Sequence, residues 1–551
     1  MRKAVSLIFL IISLFLMAVS ANAQTPDTIW YTTNPEAASF TISTADGLRG
    51  LSWLVNRGNN FSGKTITLAN NIDLSDYMMS DGWIPIGTYN SENSFRAFSG
   101  TFDGGGFVIS NLTINKPRFG SFQGLFGYIR NGRVENLGLD NINITGSYNV
   151  GGIAGHIYRS TITNSYSVGT IRATQIIAGG VVGHVDLSTV DNSYFSGEII
   201  YIGDDHNDNG YSIGGIAGYI RNSTVSNSYS AANISGRINV GGIVGTVYDS
   251  RITNCYSTGT ISGAIDVGGV AGIIQQGSAD NNYSTGMVSG NLRIGGLVGN
   301  LMQSGWLVNG YSIGAVNGDS LVGGVVGYAG PEYRIRVTNC VALNPEVKGN
   351  SNLARVVGDT GDFDVILSNN AAYDGMTNNA GLTTWTNKGA NNIDGADISL
   401  AQILADGTIG GRFTTEYGWT IANGSLPGLL GQTVPLPVHL GGTSINPQFR
   451  QRQSQNPSSF TMRISPAKSG VSNIIYTLNT ESSLSISVYN LKGKKVAFQP
   501  KRLRTAGEHN FSFKAPKGFY IVEARVQDKS GVGMGERDAK HRVFTERVLV
   551  R

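Results

Sequence analysis

The sequence predicts an all-β protein whose main body is a parallel β-solenoid, and three observations carry that prediction. A five-residue anchor, Gly-Gly-apolar-apolar-Gly, recurs along the chain at spacings of 28, 28, 35, 27, 27, 27, 28 and 31 residues. A second element, of the form Asn-x-Tyr-Ser, keeps step with the anchor 13 or 14 residues behind it. Between the two run short segments such as Thr161-Ile162-Thr163 and Gly259-Thr260-Ile261, which alternate with the period of two that marks a strand.

The anchors are GGIAG from Gly151, GGVVG from Gly179, GGIAG from Gly214, GGIVG from Gly241, GGVAG from Gly268, GGLVG from Gly295 and GGVVG from Gly323. QGLFG at Gln123 opens the series and a decayed ARVVG at Ala354 closes it. A unit of about 27 residues fits three strands of five to six residues and three turns. One such unit cannot bury its apolar face alone, whereas stacked units cover one another. The solenoid is therefore expected over 123–358, with glycines where the backbone turns sharply or coils approach closely.

The flanks follow from the same reading. Arg2 and Lys3, the apolar run Ala4 to Val19 and the small residues of Ala21-Asn22-Ala23 read as a cleavable secretory signal over 1–23. Residues 24–122 are expected to form an N-terminal cap and solenoid prelude, because Leu48, Leu51, Leu54 and Val55 lie at helical spacing behind a Ser43/Thr44 cap. Residues 359–431 read as a C-terminal cap with a short helix, Ser399 to Ala405. The Pro-, Gln- and Ser-rich stretch 432–459 reads as a linker. The last part, 460–551, alternates strands with Lys-Gly turns and reads as a small β-sandwich.

Composition agrees and excludes other classes. Glycine is 75 of 551 residues, about twice its usual ~7% share, and charged residues are 14% against the usual ~25%. Aromatic residues at 9% argue against a disordered chain. The net charge of +4 hides an excess of ten positive charges after Phe460, so the body is slightly acidic and no nucleic-acid stripe is expected there. No stretch after the signal is long and apolar enough to span a membrane. Cys255 and Cys340 fall in one column of the repeat, three coils apart, so two free thiols are expected.

The repeats resemble the GLUG-motif proteins of bacterial surfaces. The leader FSGKTITLANNIDL from Phe61, WIPIG from Trp83, FSGTFDGGGFVISNLTI from Phe98 and the ending GWTIANGSLPGLL from Gly418 share the likeness. The end of the chain resembles the C-terminal sorting domain of type IX secretion, through ISP at Ile464, ISVYNLKGKKV from Ile486, GEHNFSF from Gly507, GFYIVEARV from Gly518 and the final RVLVR. The resemblances imply a surface or secreted protein whose C-terminal domain engages the secretion machinery.

Catalytic motifs fare poorly. Gly58 to Thr65 matches the P-loop pattern, but a helix precedes it and a strand follows, the reverse of what phosphate binding at a helix N-terminus needs. Gly210 to Gly214 and Gly310 to Gly314 match the nucleophile-elbow pattern in two different phases of the repeat. Asp191 and Asp280 share an offset three coils apart, and Asp186 and Asp249 nearly share one two coils apart, so no neighbouring carboxylate pair forms. No catalytic residue is expected, and the chain reads as a non-enzyme.

Two columns and one insertion remain. Immediately after each anchor stand Tyr128, His156, His184, Tyr219, Thr246, Ile273, Asn300 and Tyr328, either a partly exposed ladder or a sugar-binding strip. Tyr128, His156, His184, Tyr219 and Tyr328 are its candidate ligand-binding residues. The uniform column Tyr166, Tyr194, Tyr229, Tyr256, Tyr283 and Tyr311 points to packing. Asp205, Asn207 and Asn209 open a calcium-loop pattern that lacks its closing Glu, since Ile216 stands there. The alternatives are a solvated turn and a weak Ca2+ site, and no other cofactor is expected. The resulting expectation is a secreted or cell-surface scaffold, an adhesin or carbohydrate-binding protein, with a polysaccharide-active β-helix enzyme as the alternative.

Overall fold

The computed structural model describes residues 26–78, 81–90, 94–118, 120–203, 211–330, 334–361, 363 and 365–442. Towards the C-terminus it describes 460–466, 471–478, 482–490, 495–505, 507–514, 518–528 and 541–550. The expected signal peptide and most of the expected linker lie outside the described residues.

Parallel pairing begins where Ser39–Ile42 meets Thr65–Leu68 and ends where Ala371–Tyr373 meets Ala396–Ile398. Between them the chain winds through about 12 turns of about 28 residues. The stack thus runs beyond the anchors on both sides. Thr101–Asp103 pairs in register with Arg133–Glu135 upstream, and Arg336–Thr338 pairs with Ile366–Ser368 downstream. A coil needs alternating strands to pair, and glycine only where its neighbours press on it.

One coil comprises Tyr148–Gly151, Ala154–Tyr158, Thr161–Thr163 and Tyr166–Ala173. That is four strands of three to eight residues where three of five to six were expected. The extra break is an asparagine corner between the third and fourth strands. First strands stack into one nine-stranded sheet and second strands into another, while third and fourth strands share a 27-stranded sheet with the terminal coils.

The anchor glycines answer to crowding. A Cβ on Gly241 would lie 1.9 Å from the Val244 carbonyl oxygen, on Gly242 2.0 Å from that of Gly269, and on Gly245 2.4 Å from the Ile213 nitrogen. None of the three has a left-handed φ. Left-handed corners fall instead to Asn164, Asn192, Asn227, Asn254, Asn281 and Asn309, at φ of 45° to 55°, the conformation asparagine tolerates best among residues with a Cβ. Their amides link coils: Asn192 donates to Asn164 at 2.6 Å and Asn339 to Asn309 at 2.7 Å.

The same structure explains why the two repeated elements keep step. The Ser167 hydroxyl points inward and donates to the Gly180 carbonyl of the next coil at 2.6 Å. Ser257 and Ser312 do the same to Gly269 and Gly324. Each serine occupies the space beside the second glycine of its anchor: a Cβ on Gly152 would meet the Ser167 oxygen at 2.6 Å.

Both cysteines are free and buried, and burial pushes each thiol up to about 12. The pairings Tyr256↔Tyr283, Asn282↔Gly310 and Tyr311↔Val341 set them three coils apart in one column. At ~4.8 Å per coil that is ~14 Å, twice the ~7 Å limit for a disulfide.

The ends are closed by different means. The helix Ala45–Val55 is capped by the Thr44 hydroxyl, which accepts from the Gly47 N–H at 3.0 Å, and it buries Leu48, Leu51, Leu54 and Val55. Ser399 and Gln402 form a reciprocal capping box on the helix Leu400–Leu404. Beyond it the chain folds back over the tyrosine column. Trp419 lies 6.2 Å from Tyr283 and 5.6 Å from Tyr311 between ring centroids, Phe413 lies 5.3 Å from Tyr311, and the Tyr311 hydroxyl donates to the Pro427 carbonyl. The tyrosines stack at 4.7 to 5.2 Å with rings 2° to 11° apart, so packing is what this column does.

The chain divides into two compact units between residues 446 and 447. The second consists of two antiparallel sheets, one ordering Phe460–Pro466, Val471–Leu478 and Gly507–Lys514. The other orders Lys495–Arg504, Ser482–Asn490, Gly518–Asp528 and His541–Val550. Leu484, Ile486 and Val488 are fully buried at every second position, and Ser487 between the last two is buried as well.

Candidate functional site

The sheet of second strands carries the candidate site. Along these strands the residue after the anchor and the one two further on share the side away from the core, and the residue between them enters it: His156 and Tyr158 are half-buried, while Ile157 is fully buried. Burial varies along the row: His184, Tyr219, Ile273 and Tyr328 are half-buried as well, whereas Tyr128, Thr246 and Asn300 are buried. Pairing is in register through Tyr128, His156, His184, Tyr219, Thr246, Ile273, Asn300 and Tyr328. The five candidate residues therefore belong to one row, though Tyr328 stands apart from the other four, beyond Thr246, Ile273 and Asn300.

Within the row the rings touch. His156 and His184 stack at 4.4 Å with planes 11° apart. Tyr128 lies 5.0 Å from His156, and Tyr219 lies 5.0 Å from His184 but is turned by 82°. Phe122, from the first-strand sheet, stacks on His156 at 5.7 Å and holds that end of the row in place. Farther along, the Thr246 hydroxyl meets that of Ser212 at 2.7 Å. The Nε2 atoms of His156 and His184 are buried and have no hydrogen-bond partner.

A second outward row runs two residues behind the first and was not singled out from the sequence. It pairs Arg130, Tyr158, Asp186, Arg221, Tyr248, Gln275 and Met302 in order. The period of two, carried one step past the histidine column, was the signal that identifies it. Arg221 grips Asp186 of the preceding coil with two bonds, at 3.1 and 2.6 Å.

Burial lowers His156 to about 3 and His184 to about 4. The charge of His184 and Arg221 adds to this for His156, and Asp186 opposes it at both. The unfolded histidines, near pH 6.5, take up protons that the folded ones refuse. Stability from this pair is thus complete above pH 6.5 and drains away as pH falls towards 4 and 3. Between pH 6.5 and 4.5 the fold loses about 1.4 kcal/mol per pH unit for each histidine that stays neutral. Half-buried His439 is lowered by burial too and adds in the same direction. The expected result is a melting temperature that falls steadily over that window, well above the range where the paired Asp186 titrates. A His156→Phe/His184→Phe variant should flatten the slope; an unchanged slope would refute the assignment.

The other candidates separate. Ser312, at the centre of one elbow-like pattern, is buried and spends its hydroxyl on Gly324; Ser212, in the other, is buried against Thr246. Helix Ala45–Val55 precedes the P-loop-like segment and strand Thr65–Leu68 follows it, so no helix N-terminus faces the loop. Asp191 is held by Ser226 and Asn227, and Asp280 by Arg251. Among the described residues no group of three or more His, Cys, Asp or Glu is placed to hold a metal ion. The calcium candidates Asp205, Asn207 and Asn209 lie outside the described residues.

Residues 146–172 and 236–262 match the family model described as the GLUG motif. A stretch of 98 residues, 18% of the chain, is 36% identical to halomucin of Haloquadratum walsbyi, and spans 1% of that protein's length. Among solved structures, a candidate immunoglobulin A1 protease from Bacteroides ovatus aligns with 72% of this chain and 93% of its own, at 17% identity and a TM-score of 0.30. Another IgA1 protease aligns with 60% of this chain and 21% of its own, at 16% identity and a TM-score of 0.36. A tailspike protein of an Acinetobacter baumannii phage aligns with 95% and 68%, at 9% identity and a TM-score of 0.27. Among the described residues no helix is long and apolar enough to cross a membrane.

Proposed function

We propose that this protein is a secreted or cell-surface scaffold, an adhesin or carbohydrate-binding protein, whose second-strand sheet is the binding face. The observation that carries the reading is the in-register double row of rings and polar groups on one parallel sheet. A pyranose offers C–H faces that pack on aromatic rings and hydroxyls that need donors and acceptors. The half-buried rings of His156, His184, Tyr219 and Tyr158 supply the first, and half-buried Tyr248 and Gln275 with exposed Arg221 the second. Because each coil adds one position to each row, a polymer lying along the solenoid meets several contacts in line, and weak contacts add. The signal sequence and the sorting-domain likeness support export through a type IX-like system.

The test is a glycan array together with a depolymerisation assay on the purified protein. Retention without new reducing ends or unsaturated products is expected. Loss of retention in a Tyr158→Ala/Tyr219→Ala variant that still melts cooperatively would locate it on this face. Product formation would establish the enzymatic alternative instead, and no retention on any glycan would end the binding reading. In a type IX-competent host, removing the final ten residues should strand the protein in the periplasm; unchanged delivery would reject the export half.

A further inference from the structure

Two cations interrupt the rows at one end. Arg130 and Arg159 are both exposed, and their guanidinium carbons sit 5.6 and 5.3 Å from the centre of the same ring, that of Tyr158. Among the described residues neither joins an ion pair with a carboxylate. Elsewhere on this sheet the fold does neutralise its arginine: Arg221 is bound twice by Asp186, which has 4% of its side chain exposed. Arg130 and Arg159 are therefore a local excess of positive charge on a unit that is otherwise slightly acidic. The ring holds each guanidinium near the surface of the sheet and leaves its N–H groups free, which pre-orders a fork suited to a carboxylate or sulfate.

Resting on the carbohydrate reading above, we propose that the end of the face formed by Arg130, Tyr158 and Arg159 selects acidic glycans, those bearing carboxylate or sulfate. Half-buried Tyr158 lies against the sugar, and the two exposed guanidinium groups receive its anionic substituent. Single-stranded nucleic acid also combines anions with rings, but it needs a basic groove that tracks a run of phosphates. Two unpaired arginines on an acidic unit do not make one.

The experiment compares four probes on the full chain: polygalacturonate, chondroitin sulfate, neutral dextran and a single-stranded DNA oligonucleotide. Expected are binding of at least one acidic glycan about tenfold or more above dextran, and weakening with added salt. An Arg130→Gln/Arg159→Gln variant should lose that preference and its salt dependence while keeping whatever affinity it has for dextran. Both side chains are exposed, so its melting temperature should match the parent. Equal binding of acidic and neutral glycans, or an unchanged preference in the variant, overturns the proposal and leaves the carbohydrate reading intact. Binding of DNA as tight as that of the acidic glycans overturns it in favour of a general polyanion surface. Binding of no glycan overturns both.

Discussion

Replacing Gly269 by alanine should cost about 3 kcal/mol or more, at the upper end of what overpacking does to a core. The added Cβ would lie 2.2 Å from the Gly296 carbonyl oxygen, 2.4 Å from the Ser284 hydroxyl oxygen and 2.5 Å from its Cβ. A flexible side chain could swing away; a carbonyl inside a parallel stack cannot. Gly296 is held by the next coil, where its N–H donates to the Gly323 carbonyl at 3.2 Å and a Cβ on Gly296 would itself lie 2.0 Å from the Gly324 oxygen, so relief at one coil would have to be passed to its neighbours. Removing the serine as well, as Gly269→Ala/Ser284→Gly, should restore little, because the carbonyl contact remains. Gly47→Ala is the control. That glycine lies inside the helix Ala45–Val55, where the nearest atom to an added Cβ is the Thr44 hydroxyl oxygen at 3.2 Å. Helix propensity there favours alanine by up to ~1 kcal/mol. Denaturant titration of the three variants decides it: Gly269→Ala unfolding at the parent's midpoint would mean the coils are not packed as described.

What could be read from the sequence was whatever repeats. The anchor spacing gave the coil, and the row from Tyr128 to Tyr328 pairs residue for residue as that spacing implies. Less visible was which residue does which job within a coil. Glycine suggests tight turns, yet the left-handed corners belong to asparagine and the glycines relieve contact between coils. That distinction depends on what lies above and below, which a linear pattern does not record. The row of Arg130, Tyr158 and Asp186 changes chemical type at each coil, so it lacks the uniformity that makes a column stand out. The fold-back of Phe413 and Trp419 onto Tyr283 and Tyr311 joins segments more than a hundred residues apart, and it leaves no periodicity at all.

The decayed anchor ARVVG has a similar lesson, and it leads to the second large effect. Arg355 stands where every complete anchor has its second glycine, and its side chain is fully buried. Two changes make room for it. The residue in register with Ser312 and Ala342 is Ala372, so no serine hydroxyl presses on this site, and no further anchor is stacked beyond. The guanidinium instead reaches the loop that closes the stack. It binds the Asp397 carboxylate at 2.7 Å, the Asp394 carbonyl at 3.0 Å and the Gly395 carbonyl at 3.1 Å, while the Arg355 backbone N–H donates to the Asp394 carboxylate at 3.0 Å. Lys388 joins Asp397 from the solvent side at 3.0 Å. Arg355→Ala should therefore cost about 2 to 4 kcal/mol, because it leaves the buried carbonyls of Asp394 and Gly395 unpaired and a cavity where the side chain stood, while half-exposed Asp397 keeps Lys388. The loss should be local, because in a stack of coils each unit is held by its neighbours. Hydrogen exchange should accelerate over residues 355–398 and leave the coils around His156 unchanged. Arg355→Gly discriminates best, since it restores the residue found at all the intact anchors. If glycine here served the same purpose as elsewhere, that variant would be as stable as the parent. The bonds to Asp394, Gly395 and Asp397 predict that it is no better than alanine, and parental exchange rates over 355–398 in Arg355→Gly would show that arginine does not close this end of the solenoid.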